Sequence, residues 1–153
     1  MAGNGDPPMA GDELVIRAWE ARDRDEVQRL LRLLSETAEV RAQDAPVYVA
    51  ESDGRVVGMV TLCVFTTLTG PKAFLDHLVV APNSRRRGIG RALLEHAIER
   101  ARDAGASRID LTANRSKQAG RALYEAAGFH ERDTTPFRLH LPGSDLAMQH
   151  AQT

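Results

Sequence analysis

The sequence predicts an α/β fold: an α+β mixed sheet in which antiparallel strands precede a parallel strand–helix–strand unit. Three observations predict it. Apolar, β-rich stretches at Val47–Glu51, Arg55–Thr66 and Lys72–Ala81 are separated only by Ser52-Asp53-Gly54 and a segment holding Gly70-Pro71. Short glycine-bearing turns of this kind join neighbouring antiparallel strands. Between Gly88 and Gly105, Ile89, Leu93, Leu94, Ala97, Ile98 and Ala101 recur at helical spacing. Ser107–Leu111, which follows that helix, reads as a short strand. The helix thus links two strands expected to run parallel, with a right-handed crossover.

The remaining elements fall around this frame. Glu13–Trp19 alternates partly and holds Val15 and Ile16, the pattern of a first strand. From Asp23 onward, Val27, Leu30, Leu31 and Leu34 mark an amphipathic helix that continues or restarts up to about Arg41. Asp76 and His77 interrupt the Lys72–Ala81 strand, Pro82 ends it, and Gly105 is suited to cap the long helix. Ser116–Ala127 is a second amphipathic helix, stopped by Gly128. Phe129–Arg132 and Phe137–Leu141 suggest a closing pair of strands. Residues 1–12, rich in Gly, Pro and Asp, read as a flexible leader, residues 13–141 as one domain, and residues 142–153 as a loosely ordered tail.

Composition narrows the function. A chain of 153 residues with 42% hydrophobic residues suits one domain with a real core. With 27% charged residues and a net charge of -1, nothing points to broad nucleic-acid or membrane affinity. The first residues lack the basic start and apolar stretch of a secretory signal, and no apolar run is long enough to span a bilayer. Cys63, the single cysteine, has no disulfide partner and no metal-ligand spacing around it. It reads as a buried thiol in the apolar Val60–Phe65 run, compatible with a reducing, cytoplasmic setting. No metal is expected.

The most informative segment runs from Val79-Val80-Ala81-Pro82-Asn83-Ser84 through Arg85-Arg86-Arg87-Gly88-Ile89-Gly90 into Arg91-Ala92-Leu93-Leu94. A strand enters a basic, glycine-bearing turn, and the turn opens a helix. Helix N-termini expose unpaired N–H groups with partial positive charge. Glycine lets the backbone approach a ligand, and the arginines add countercharge. Together they suit a pyrophosphate. A P-loop would need Lys and then Ser or Thr after its second Gly, and a Rossmann fingerprint a small residue where Leu93 stands. Asp110, about 20 residues beyond the loop, keeps a dinucleotide fold as a minor alternative. A solvated charge run is the plain alternative for the arginines. No aromatic stacking platform accompanies them, which disfavours nucleic acid.

Arg85-Arg86-Arg87-Gly88-Ile89-Gly90 resembles the signature of the GNAT superfamily of acetyl-coenzyme A-dependent N-acetyltransferases: Arg or Gln, two residues, Gly, any residue, then Gly or Ala. A second segment is also similar to that family: Asn114, then Ala119-Gly120-Arg121-Ala122-Leu123-Tyr124-Glu125-Ala126-Ala127-Gly128-Phe129. The order of strands and helices agrees over nearly the whole chain, both termini excluded. The resemblance implies a GNAT-like acyl-CoA N-acyltransferase fold and acetyl-CoA as cosubstrate. The amides of Arg85, Arg86, Arg87, Gly88, Ile89, Gly90 and Arg91 would then hold the pyrophosphate. Leu78, Val79 and Val80 would pair their backbone with the pantetheine arm, and Asn114 would touch that arm. A turn-forming Asn is the alternative reading of Asn114.

Acetyl transfer needs a neutral amine, whereas an alkyl ammonium resembles lysine, with a pKa of about 10.4. Asp76 stands in the strand just before the loop, where the resemblance implies an acidic general base, directly or through water. A structural carboxylate is the alternative. Strand alternation predicts that His77 points to the opposite face; it becomes the better base if Asp76 faces away. Tyr124 resembles the family tyrosine near the coenzyme A sulfur, a general acid at the leaving thiolate; the alternative is a packed helix tyrosine. The acceptor is expected to be a small-molecule or peptide amine, shaped by Leu30–Asp44, Thr66–Lys72 and Asp133–Leu139. Within the first of these, Glu36, Glu39 and Asp44 either attract a cationic amine or form a solvated face. Homodimerisation is an expectation from the resemblance alone. A reading of a different class is a non-catalytic acyl-CoA-binding sensor or regulatory module, in which Asp76 and Tyr124 would have no work.

Overall fold

A computed structural model describes residues 13–142; the expected leader and nearly all of the expected tail lie outside the described residues. Strand β1 (Leu14–Ala18) leads through a 3-10 turn at Ala21–Asp23 into helix α1 (Arg24–Leu34). Then come β2 (Val47–Ser52), β3 (Arg55–Thr67) and β4 (Gly70–Val80). A second 3-10 turn, Pro82–Ser84, precedes α2 (Ile89–Asp103), followed by β5 (Ile109–Asp110) and α3 (Gln118–Ala126). The strands lie side by side in chain order in one five-stranded sheet. Pairing is antiparallel from β1 to β4 and parallel between β4 and β5, the predicted mixed sheet.

The turns carry this order. Asp53 and Gly54 both adopt positive φ, 53° and 72°. That left-handed pair matches the twist of the β2–β3 hairpin. Alternation along the strands then divides the core between the two faces. Ala50, Val60, Leu62, Ala73 and Leu75 meet Ile89, Leu93, Leu94, Ala97 and Ala101 of α2. Val47, Val49, Met59 and Val79 meet Val27 and Leu30 of α1. Gly58 sets how closely α2 sits: a Cβ there would lie 3.0 Å from Leu93 Cδ1 and 3.2 Å from the Val79 carbonyl oxygen.

Four expectations are corrected. The first helix does not reach Arg41. Ser35 leaves it in an extended conformation, and the Gln28 amide donates to the Ala38 carbonyl (2.9 Å) and accepts from the Val40 N–H (2.8 Å). The returning chain is thereby tied to the side of α1. Cys63 is exposed, because the β3–β4 hairpin outruns the helices; Val64 and Phe65 are exposed with it. Phe129–Arg132 and Phe137–Leu141 do not form strands. The Phe129 N–H instead closes the end of α3 on the Tyr124 carbonyl (3.0 Å). Side-chain ion pairs, Arg121 with Glu131 and Arg132 with Asp110, hold the chain that follows. Phe137, Leu139 and Leu141 are 95%, 81% and 66% exposed, so their alternation covers little apolar surface among the described residues. The fourth correction concerns His77 and belongs to the site.

Candidate active site

The turn between β4 and α2 has the geometry of an anion cradle. Arg86 and Gly88 take positive φ, 66° and 77°, folding the chain back just before Ile89 opens the helix. No side chain caps α2, and its first backbone bond runs from Ala92 N–H to the Gly88 carbonyl. The N–H groups ahead of Ala92 therefore have no partner within the helix. Arg85, Arg86, Arg87, Gly88 and Arg91 are exposed. Arg85 donates to the Val80 carbonyl (3.2 Å) and Arg91 pairs with Glu95 (2.9 Å). Among the described residues no carboxylate pairs with Arg86 or Arg87, which leaves two guanidinium charges beside the open helix end. The side chain of Ile89 is buried in the core, so Ile89 can offer a ligand only its backbone.

Three elements meet at this turn. A Cβ built on Gly90 would lie 3.4 Å from Leu123 Cδ2 on α3 and 3.7 Å from Val80 Cγ2 on β4. Both are ordinary contacts, so packing alone does not demand glycine there. On its outer side, β4 pairs with β5 only at Ala73 and Phe74. Among the described residues, the rest of that edge, Leu78, Val79 and Val80 included, has no strand partner on the β5 side. Val79 itself is buried against α1 and pairs with Met59 of β3.

Tyr124 of α3 is half-buried and meets Phe129 edge-on, with ring centroids 6.0 Å apart. Burial pushes its phenol pKa upward, and the negative charge of Asp76 pushes it the same way. Asp76 is exposed and lies opposite Thr61 in the β3–β4 ladder. Just past that pair the register shifts: His77 and Leu78 face the single residue Val60, and His77 takes φ 49°. Such a bulge bends the strand and re-aims a side chain. His77 therefore does not point away from Asp76. Its backbone N–H donates to Asp76 Oδ1 (2.8 Å), and its ring Nε2 lies 3.6 Å from Asp76 Oδ2. Nδ1 lies 3.2 Å from the Thr61 hydroxyl. Cys63 lies across from Phe74 on the same face as Thr61 and Asp76, and Phe65 follows toward the hairpin tip. This strip of the sheet continues past α1.

Asn114 is exposed, and its Oδ1 accepts from Ser116 N–H (3.0 Å) and Ser116 Oγ (2.8 Å). Its carbonyl side is thus engaged in a turn; its amide donor is not part of those bonds. A groove of about 380 Å³ lined by Ile98, Ile109, Asp110 and Phe129 contains none of the turn residues. No group of three or more His, Cys, Asp or Glu side chains suited to a metal ion occurs among the described residues. Gly58 and Thr61 were missed by sequence reasoning. A glycine inside the apolar Arg55–Thr66 strand was the available signal for the first. Thr61 gains its place only through a cross-strand register that no local pattern gives.

The family model for the acetyltransferase (GNAT) family matches residues 12–129. The ribosomal protein bS18-alanine N-acetyltransferase of Escherichia coli (strain K12) is 35% identical over 88 residues, which is 58% of this chain and 58% of that protein. Human N-acetyltransferase 8 is 34% identical over 115 residues, covering 65% of this chain and 51% of that protein. The chain therefore spans less than two thirds of the length of either. The crystal structure of a ribosomal-protein-alanine N-acetyltransferase from Brucella melitensis biovar Abortus 2308 superposes with a TM-score of 0.71 at 25% identity, over 84% of this chain and 100% of that one.

Proposed function

This chain belongs to the acetyltransferase (GNAT) family, and on that premise we propose that it moves the acetyl group of acetyl-CoA to a primary amine, with a protein or peptide amine as acceptor. One observation carries the reading. The β4 edge at Val80, the uncapped start of α2 and α3 at Leu123, the residue before the half-buried Tyr124, meet around Gly90. The residues present fit a diphosphate followed by an amide-bearing arm. The first-turn N–H groups of α2, with Arg86 and Arg87, supply positive potential for the diphosphate. The backbone of Leu78–Val80 supplies hydrogen bonds for the arm, and one of its N–H groups polarises the thioester carbonyl.

Asp76, directly or through one water, takes a proton from the acceptor ammonium. The neutral nitrogen bonds to the thioester carbon and the carbon–sulfur bond breaks. Tyr124 donates a hydrogen bond to the departing sulfur and then its proton; the second proton lost by the nitrogen restores the phenol through water. An α-amine, with a pKa of about 8, asks less of a base than a lysine at about 10.4. Two relatives named for an alanine of a ribosomal protein favour such an acceptor. So does the strip of exposed Cys63 and Phe65 and half-buried Phe74 beside Asp76, which offers an extended chain a surface to lie on.

Thiol release from acetyl-CoA, measured across peptides with free or blocked α-amines, lysine peptides, polyamines and aminoglycosides, tests the proposal. Turnover is expected with free α-amines. Coenzyme A uptake by calorimetry without thiol release for any acceptor would instead support the acyl-CoA-binding module. No uptake at all would overturn both.

A further inference from the structure

The bulge in β4 gathers three side chains into one arrangement, and only one of them has a role so far. Asp76 Oδ1 is held by the backbone N–H of the next residue (2.8 Å). Its other oxygen, Oδ2, faces His77 Nε2 at 3.6 Å, too far for a direct hydrogen bond but within reach of one after a small ring movement. The far side of the ring, Nδ1, is 3.2 Å from Thr61 Oγ1. His77 holds φ 49° to reach this position, a conformation that side chains with a Cβ seldom adopt. Strained backbone beside a functional site is a recurring device of active sites.

We infer that Thr61 is a positioning residue: its hydroxyl donates to His77 Nδ1, fixes the ring as the Nε2–H tautomer, and so aims an N–H at the second oxygen of Asp76. This rests on the reading of Asp76 as the base. A neutral imidazole carries one N–H and one bare nitrogen, and the partner of one nitrogen decides which is which. Were Nδ1 protonated, the Nε2 lone pair would face a carboxylate oxygen and repel it. The Thr61 hydroxyl can donate to Nδ1, so the Nε2–H tautomer satisfies both ring nitrogens without that repulsion. The carboxylate then has one oxygen on the His77 backbone and the other beside the His77 ring, leaving its orientation little freedom. It meets the incoming ammonium in one pose, without a search among rotamers.

Imidazole nitrogen shifts measured by NMR on the full chain, together with steady-state kinetics, test this. The native protein is expected to show a single Nε2–H tautomer at His77, and Thr61→Val a mixture. Thr61→Val should lower kcat roughly tenfold, the scale of one lost hydrogen bond to a charged system, with KM for acetyl-CoA unchanged. Thr61→Ser, which keeps the hydroxyl, should restore both tautomer and rate. If Thr61→Val folds poorly, Thr61→Ala serves in its place. A native Nδ1–H tautomer, an unchanged kcat in the Val or Ala variant, or no rescue by Ser would each overturn the inference. Asp76→Asn keeps the two readings apart: full turnover in that variant would remove Asp76 as base, while the tautomer at His77 would still report on Thr61.

Discussion

At the scale of single residues, the two proposed proton carriers condition each other. Tyr124 sits half-buried, and both its burial and the charge of Asp76 raise its phenol pKa. A raised phenol is a weaker acid than a free thiol, whose pKa is about 8.5. Complete proton transfer to the sulfur before the bond breaks is therefore uphill. The hydrogen bond to the developing thiolate does most of the work, and the proton follows as the nitrogen returns one. Tyr124→Phe should then lower kcat about a hundredfold while coenzyme A affinity by calorimetry stays the same. A large loss of affinity instead would make Tyr124 a packing residue. The sign of the shift also sets a pH expectation. Because the folded phenol titrates above its usual value of about 10, rate–pH profiles should show no alkaline fall from Tyr124 below that pH. A fall near pH 8 that vanishes in Tyr124→Phe would contradict this.

At the scale of elements, the glycines of the turn separate backbone geometry from ligand approach. Gly88 sits at φ 77°, and a residue with a Cβ in that region costs roughly 1–2 kcal/mol. Gly88→Ala should lower both stability and coenzyme A affinity. Gly90 has ordinary space around a new Cβ, and Ala is favoured over Gly within a helix by roughly 1 kcal/mol. Gly90→Ala should therefore leave thermal stability unchanged or higher, so any loss of coenzyme A affinity reports on the ligand side of the loop. A Gly90→Ala protein that binds as well as the native one would show that the cradle does not need bare backbone there. The turn itself was legible in the sequence because its chemistry is local: strand, arginines, glycines and helix succeed one another without interruption. The β2–β3 hairpin was legible for the same reason, at Asp53-Gly54. Phe137, Leu139 and Leu141 misled because alternation records a capacity to form a strand, while a strand exists only when another edge accepts it. Cys63 misled similarly: its apolar neighbours suggested burial, but the hairpin extends beyond the helices that would cover it.

At the scale of the whole molecule, what escaped the sequence is register. Nothing in the order of residues announces that one extra residue in β4 opposes Val60, yet that bulge alone turns His77 toward Asp76 and Thr61. Register is fixed jointly by the outer strands, and there one ionic cluster ties three segments together. Arg17 on β1 donates to both oxygens of Asp23 (2.7 and 2.9 Å) and to Glu51 on β2 (2.8 Å). Asp23 is 4% exposed and also accepts the Glu20 N–H (2.7 Å), so it closes the entry to α1 as well. The Arg17 hydrogen bonds hold the Asp23 carboxyl below its usual range, against the opposing effect of burial, and Asp23 in turn raises the Arg17 guanidinium. Removing Asp23 takes two hydrogen bonds from the partly buried Arg17, which keeps Glu51, and leaves the Glu20 N–H without that acceptor, so Asp23→Ala should cost on the order of 2 kcal/mol, read as a lower midpoint in urea. Because the folded pKa of Asp23 lies below its unfolded value of about 3.9, the contribution is present above that pH. It declines as pH falls toward the folded pKa, where the native carboxylate also takes up its proton. The stability gap between the native protein and Asp23→Ala should accordingly be widest near neutrality and narrow below about pH 4. A gap that stays constant down to pH 2 would mean that packing, and not the ion pair, holds β1 and β2 to the start of α1.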